Sequence, residues 1–195
     1  MDNVFQQKSD IRSIIESQRR SLSGESVAFK SSKIISHLKK LPEYQAAKTV
    51  HCYVAWRNEV NTHQLIKDTL ETGRRVIVPV TDLSSHTLLH SEIKSFDELK
   101  KGTFGILEPP KDQFRKVKIS EFDLVIVPGV ALDLSGHRLG FGGGFYDGFL
   151  GKIKTTKIAL AYEFQIVDKI PTRTEDERVD ILVSEKSVYR FNDFK

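Results

Sequence analysis

The sequence predicts an α/β fold: a three-layer sandwich with a mostly parallel central sheet covered by helices on both faces. Three observations lead there. Short runs such as Leu124–Val127 and residues 76–80 are apolar throughout, as strands buried on both faces must be. These runs alternate with stretches of helical spacing. Neither an internal repeat nor a linker interrupts the 195 residues, so 1–195 reads as a single domain.

The elements follow in order. Residues 4–20 read as an amphipathic helix, with Val4, Ile11, Ile14 and Ile15 near helical spacing and Leu22 just beyond. A second helix starts at the N-cap Ser23 and runs toward Leu41. Its stripe is Ile34, Ile35, Leu38 and Leu41, and Pro42 ends it. Residues 50–55 form a buried strand. Asn61 or Thr62 caps a helix through Leu70 that Gly73 stops. Residues 76–80 and Thr87–Ile93 are the next strands, and Ser95 with Glu98 makes a capping-box pattern around Leu99. Gly102, Gly105, Pro109 and Pro110 punctuate a surface connection. Leu124–Val127 is the clearest strand. A helix over 143–151, a strand over 157–161 and short strands at Ile181–Val183 and 188–191 complete the chain.

Composition narrows the functional classes. Hydrophobic residues make up 39% and charged residues 29%, a globular balance. No apolar run approaches the roughly 20 residues that span a bilayer, and no membrane partner is expected. Asp2, Lys8, Asp10 and Arg12 leave no apolar core for a signal peptide, so the expected location is cytoplasmic. Cys52 is the only cysteine, which rules out an intrachain disulfide and a thiolate zinc site. Within residues 50–55 it reads as a small buried hydrophobe. The net charge of +4 and pI near 9.1 suit anionic ligands. The basic residues are scattered in pairs, and no nucleic-acid module is visible, so nucleic acid is not an expected partner. His86 and His90 lack further ligands nearby and read as surface imidazoles rather than a metal pair. The partners expected are small molecules, with the chain a monomer.

The chemistry concentrates after Val127. Residues 128–133 read Pro-Gly-Val-Ala-Leu-Asp, and residues 138–147 read Arg-Leu-Gly-Phe-Gly-Gly-Gly-Phe-Tyr-Asp. Gly140, Gly142, Gly143 and Gly144 contribute nothing to a core. They let a backbone approach a ligand closely and present its N–H groups. A following helix N-terminus and Arg138 add positive charge suited to phosphate. The loop is not a P-loop, since Phe145 rather than lysine follows Gly144. Nor is it a dinucleotide fingerprint, because Gly140 lies too far beyond the strand and Phe145 occupies the third glycine's place.

These two segments resemble the signature of the 5-formyltetrahydrofolate cyclo-ligases, also called methenyltetrahydrofolate synthetases. The resemblance covers nearly the whole chain: Lys8 and Arg12 fit a Lys-x-x-x-Arg pattern, Glu59 an acidic position, and Asp176-Glu177-Arg178-Val179-Asp180 an acidic segment. It implies conversion of 5-formyltetrahydrofolate to 5,10-methenyltetrahydrofolate, with ATP as co-substrate and Mg²⁺ as cofactor. Phosphorylation of the formyl oxygen would let N10 close the ring. The resemblance assigns ATP binding to Lys8, Arg12, Arg138, Gly140, Gly142, Gly143, Gly144, Phe145 and Tyr146, with Arg138 catalytic. It assigns the metal to Asp147 and Asp176, and the folate to Val54, Glu59, Phe104, Phe141 and Phe145. The chain departs from the pattern at Gly143, where some relatives carry lysine, and at Gly148, where many carry arginine.

Other readings of the same residues stay open at this stage. Lys8 and Arg12 also fit a solvated helix face, Asp147 a first-turn carboxylate, and Phe104 an apolar anchor. A sugar-phosphate isomerase or coenzyme A transferase would use the loop without ATP or metal. A binding protein would keep the loop without turnover.

Overall fold

The computed structural model describes residues 2–191. Helices α1 (Asp2–Arg20), α2 (Gly24–Lys39) and α3 (Pro42–Ala46) precede β1 (Thr49–Cys52). Helix α4 (His63–Glu71), β2 (Arg75–Asp82) and β3 (Thr87–Ile93) follow, then a small hairpin of β4 (Lys100–Lys101) and β5 (Leu107–Glu108). Next come β6 (Leu124–Val127), β7 (Ala131–Asp133), β8 (Arg138–Leu139) and helix α5 (Phe145–Leu150). The chain continues through β9 (Thr156–Leu160), β10 (Ile166–Val167), β11 (Ile181–Val183) and β12 (Val188–Arg190).

Seven strands form the central sheet in the order β12-β11-β9-β6-β1-β2-β3. The five inner strands are parallel, and the edges β3 and β12 run antiparallel to their neighbours. From β1 the chain moves outward through β2 to β3. From β6 it moves the other way, through β9 and β11. Between β1 and β6 the direction reverses, and at such a switch point helices leave on opposite sides and open a crevice.

Side-chain alternation explains the layers. Leu124 and Ile126 of β6 face Ile34 and Leu38 of α2, Tyr44 of α3, and Leu65 and Ile66 of α4. Val125 and Val127 face the other way, onto Phe149 and Leu150 of α5 and onto Phe122 and Val117. Each such buried aliphatic contributes roughly 1.5–3 kcal/mol. The second face is thus covered by one short helix and irregular segments. Helix α1 lies instead over the small sheet β10-β7-β8, with Ile15 against Val130, Ala131, Leu139 and Ile170.

Several expectations change in detail. Pro42 does not merely end the second helix; it opens α3, where a first-turn proline lacks only an N–H that would be unpaired anyway. The first strand stops at Cys52, because Thr62 Oγ1 donates to Tyr53 O (2.8 Å) and accepts from Ala55 N (3.1 Å). Cys52 is buried, as read. Ile14 is 59% exposed, whereas Lys8, Ile15 and Arg19 of the same helix are buried. The inward face of α1 therefore carries Lys8, Arg12, Ile15 and Arg19, at spacings that return to one side. His90 is not a surface imidazole. It is buried against Phe122 and Phe149, and its Nδ1 lies 3.2 Å from Nε2 of the buried His51. Burial pushes its pKa down to about 4. His86 stays exposed and packs on Phe145. Among the described residues, no helix is long and apolar enough to cross a membrane.

Candidate active site

A cleft of about 720 Å³ opens past the carboxyl ends of β1, β2 and β6. Tyr53, Val54, Pro79, Thr81 and Pro128 bring those strand ends to it; the end of β9 does not reach it. Every residue singled out from the sequence lines this cleft: Lys8 and Arg12 of α1, Val54 and Glu59 after β1, Phe104 of the β4–β5 connection, Arg138, the loop from Gly140 to Gly144, Phe145, Tyr146, Asp147 and Asp176. The topology makes that convergence, since nothing local relates residue 8 to residue 176.

A buried aspartate builds the platform for Arg138. Asp133 ends β7, and its Oδ1 accepts from Ser135 N (2.9 Å) and His137 N (3.0 Å) while Oδ2 accepts from Ile170 N (3.0 Å). Gly136, at φ +83°, closes the turn, and a Cβ there would meet the Val179 carbonyl at 2.9 Å. Strand β8 then pairs back, Leu132 opposite Arg138. The Arg138 side chain points inward. Its Nη2 donates to Asp147 Oδ1 at 2.5 Å and its Nη1 to Pro128 O at 3.4 Å, while Nε is buried without a partner. Arg138 is therefore a buried guanidinium held by a carboxylate rather than a solvated cation.

The glycine loop is clamped from α1. Arg12 Nε donates to Gly140 O at 2.8 Å, and a Cβ on Gly142 (φ +99°) would lie 3.7 Å from the Arg12 guanidinium carbon. Gly144 is left-handed at φ +68° and precedes α5 directly. Helix α5 spans only six residues, fewer than the 143–151 expected, so its dipole adds little. Positive potential at the loop comes instead from Lys8, Arg12, Arg138 and Arg173.

Two carboxylates face these cations. Lys8 Nζ pairs with Asp176 Oδ2, which also accepts from Arg173 N at 2.7 Å. Burial lowers the Arg12 pKa, with Arg173 adding to it, against the pull of Glu16, Asp176 and Asp147. Asp147 Oδ2 and Asp176 Oδ1 have no hydrogen-bond partner among the described residues. No group of three or more carboxylate, imidazole or thiolate side chains gathers there to hold a metal, again among the described residues.

Glu59 supplies an acidic group in an otherwise apolar wall. It is buried, and its Oε2 accepts from Trp56 N at 2.8 Å. Burial pushes its carboxyl up to about 7, against the pull of the Trp56 amide and of Arg19. Tyr146 lies in the same wall with its hydroxyl buried and unpartnered, and burial raises its pKa. Phe104 is exposed and adopts φ +57°, an uncommon conformation for an aromatic residue. Glu108 fixes its loop: Oε1 accepts from Thr81 N (3.0 Å) and Oε2 from Thr103 N (3.1 Å). The sequence reading missed Glu108, Trp56 and Arg173 as parts of the site, and quoted Asp133 in the signature segment without a role. The Asp-x-x-Gly turn spacing signals Asp133; no periodicity marks the other three.

A parallel-sheet fold with a glycine loop, converging cations and apolar side chains in one cleft at the switch point marks an α/β enzyme whose candidate active site is that cleft. The sequence model described as 5-formyltetrahydrofolate cyclo-ligase family matches residues 4–185, and the chain belongs to that family. It is 31% identical to the 5-formyltetrahydrofolate cyclo-ligase of Haemophilus influenzae over 183 residues, covering 91% of this chain and 98% of that one. It is 30% identical to the Escherichia coli K12 enzyme of the same name, covering 91% of this chain and all of that one. The NMR structure of Aquifex aeolicus 5,10-methenyltetrahydrofolate synthetase superposes with a TM-score of 0.84 at 37% identity, over 96% of this chain and 94% of that one.

Proposed function

We propose that the chain converts 5-formyltetrahydrofolate to 5,10-methenyltetrahydrofolate with ATP as co-substrate and Mg²⁺ as cofactor, releasing ADP and phosphate. The observation that carries this reading is the lining of one cleft. It joins Lys8, Arg12, Arg138 and the glycine loop to apolar side chains that include Val54, Phe104, Phe141 and Phe145. A nucleotide triphosphate and a flat heterocycle need those two environments next to each other.

The chemistry follows from the substrate. A formamide oxygen leaves poorly, so N10 does not close onto the formyl carbon unaided. Transfer of the γ-phosphoryl group to that oxygen turns it into a phosphate leaving group. N10 then attacks, loses its proton, and the C–O bond breaks as phosphate departs. The protein's share is alignment and charge stabilisation. Arg138, as catalytic residue, would exchange Asp147 for equatorial oxygens of the moving phosphoryl group. Lys8, Arg12 and backbone N–H groups of residues 140–146 would hold the remaining phosphates. Phe104, Phe141 and Phe145 would pack on the folate, and Glu59 would accept from its N–H groups.

The donor set fits Mg²⁺. This cation takes one or two carboxylates and completes its shell with phosphate oxygens and water, and Asp147 and Asp176 each retain a free oxygen beside Arg12. When bound, the metal would neutralise charge on the triphosphate. No lysine stands at Gly143, so the four cations and the metal carry the full phosphate charge. Adding 5-formyltetrahydrofolate should make the protein consume ATP and produce the near-ultraviolet absorbance of the methenyl product. Absence of both would sink the reading. Bound ligand without turnover would leave a binding protein. We further propose a single-domain, monomeric chain acting in the cytoplasm.

A further inference from the structure

Arg19 has no part in the reading above, yet it is the most buried cation of α1, at 4% exposure. Its Nη1 lies 4.0 Å from Glu59 Oε1 and has no hydrogen-bond partner. The guanidinium carbon stands 5.1 Å from the centre of the Phe141 ring, within cation–π range. Asn58, beside Glu59, donates its Nδ2 to the carbonyls of Arg19 (3.0 Å) and Leu22 (3.1 Å), which ties the end of α1 to the Glu59 segment. Arg19 does not line the main cleft. It lines an adjoining cavity of about 390 Å³ that shares Trp56 and Phe141 with it.

We propose that Arg19 is a positioning residue: it reaches Glu59 from outside the cleft, favours the ionised form of that carboxyl against its burial, and holds Phe141 of the glycine loop in place. The proposal rests on the reading of Glu59 as a folate contact. Its logic is electrostatic. A buried carboxylate favours its neutral form unless a partner compensates. The groups that act on Glu59 are the Trp56 amide, Arg19 of α1, and the hydroxyls of Tyr53, Tyr146 and Tyr162, the last of which donates to Glu59 O at 3.0 Å. Of these only Arg19 brings a positive charge. With Glu59 poised at about 7, a modest loss of that charge moves it out of its ionised form at neutral pH. The same side chain lies over Phe141, the loop residue read as a folate contact, so both of its contacts bear on the folate.

The test is steady-state kinetics of methenyl formation across the neutral pH range, with folate and ATP varied separately. Arg19→Gln should move the acid limb of folate kcat/KM upward by roughly one pH unit or more. The folate KM at neutral pH should rise about tenfold, with the ATP KM unchanged. In a Glu59→Gln background Arg19→Gln should move the limb no further. A folded Arg19→Gln protein with wild-type limb and folate KM overturns the proposal, provided Glu59→Gln is impaired. If Glu59→Gln is itself indistinguishable from wild type, the reading of Glu59 fails, and the role of Arg19 falls with it. Should Arg19→Gln not fold, Arg19→Lys decides. It keeps the charge and loses the planar face over Phe141, so the limb should stay in place while the folate KM rises several-fold. A wild-type folate KM in Arg19→Lys overturns the proposal.

Discussion

Replacing Arg138 by alanine separates stability from catalysis, because both terms can be worked from its contacts. The side chain is 2% exposed and holds Asp147 at 2.5 Å and the Pro128 carbonyl at 3.4 Å. Breaking a wholly buried ion pair costs about 3–5 kcal/mol, since a bare charge is left behind. Asp147 is 28% exposed, so water can take the place of the guanidinium. The stability loss should therefore be smaller, roughly 1–3 kcal/mol. Catalysis should suffer more. Losing one preorganised charge-stabilising donor costs about 3–4 kcal/mol in the transition state. At about 1.4 kcal/mol per decade, that is two to three orders of magnitude in kcat. Urea unfolding measures the first term, and the absorbance of the methenyl product at saturating ATP and folate measures the second. The expected variant is folded, somewhat less stable, and slower by about 100–1,000-fold. A folded variant with wild-type kcat would remove Arg138 from the mechanism.

Three further outcomes test the rest of the site. Gly142→Val forces a β-branched residue into φ +99° and brings its methyls toward the Arg12 guanidinium; ATP KM should rise at least tenfold while urea unfolding shows a loss of only about 1–2 kcal/mol, and normal ATP binding, or loss through global unfolding alone, contradicts this. Asp147→Asn and Asp176→Asn should each raise the Mg²⁺ concentration needed for half-maximal turnover, and the double variant should lose less than the product of the two, as residues sharing one ion do. Fully multiplicative losses, or wild-type Mg²⁺ dependence in either single variant, refute a shared metal. Glu59 should make stability pH-dependent: its folded value of about 7 exceeds the ordinary 4.5, so its contribution is fully present below about 4.5 and fades as pH rises through about 7. Glu59→Gln should flatten that part of the profile by roughly 3 kcal/mol in urea denaturation, and a slope equal to wild type refutes the burial argument.

The fold was legible where the pattern was dense. Leu124, Val125, Ile126 and Val127 are apolar on both faces and have one comfortable place, the middle of a covered sheet. The glycine loop was legible for the opposite reason, because four glycines in five positions have no use in a core. Helix α1 was misread in detail. Its isoleucines pointed to an ordinary amphipathic stripe, whereas the buried face carries Lys8, Arg12, Ile15 and Arg19 and leaves Ile14 in solvent. A helix that closes a charged cleft does not obey the rule for a helix that closes an apolar core. His90 escaped for a related reason: its partner His51 lies on another strand, 39 residues away, so the pair exists only through the β1-β2-β3 order. Glu108 was invisible too, since its acceptors serve backbone N–H groups at residues 81 and 103 that a sequence does not place.

The buried cations of the site share one arrangement, and it bears on how the site holds its shape. Lys8 is matched by Asp176, Arg138 by Asp147, and Arg19 partly by Glu59. Each cation is thereby partnered at low solvent exposure, where an unpaired charge would cost several kcal/mol. Two of the three pairs lie among the residues proposed for ATP and Mg²⁺, so an arriving metal–triphosphate complex offers each member a substitute. The anion can take Lys8 and Arg138, and the metal can take Asp176 and Asp147. Exchange of partners would keep each cation and each carboxylate paired, so a strongly charged ligand could enter without first creating bare ions. The Arg19–Glu59 pair is different, because its carboxylate faces a mostly apolar wall and has no incoming cation to meet. At 4.0 Å it is also the loosest of the three. Burial therefore still holds the Glu59 carboxyl up at about 7, with the Trp56 amide and Arg19 pulling against it.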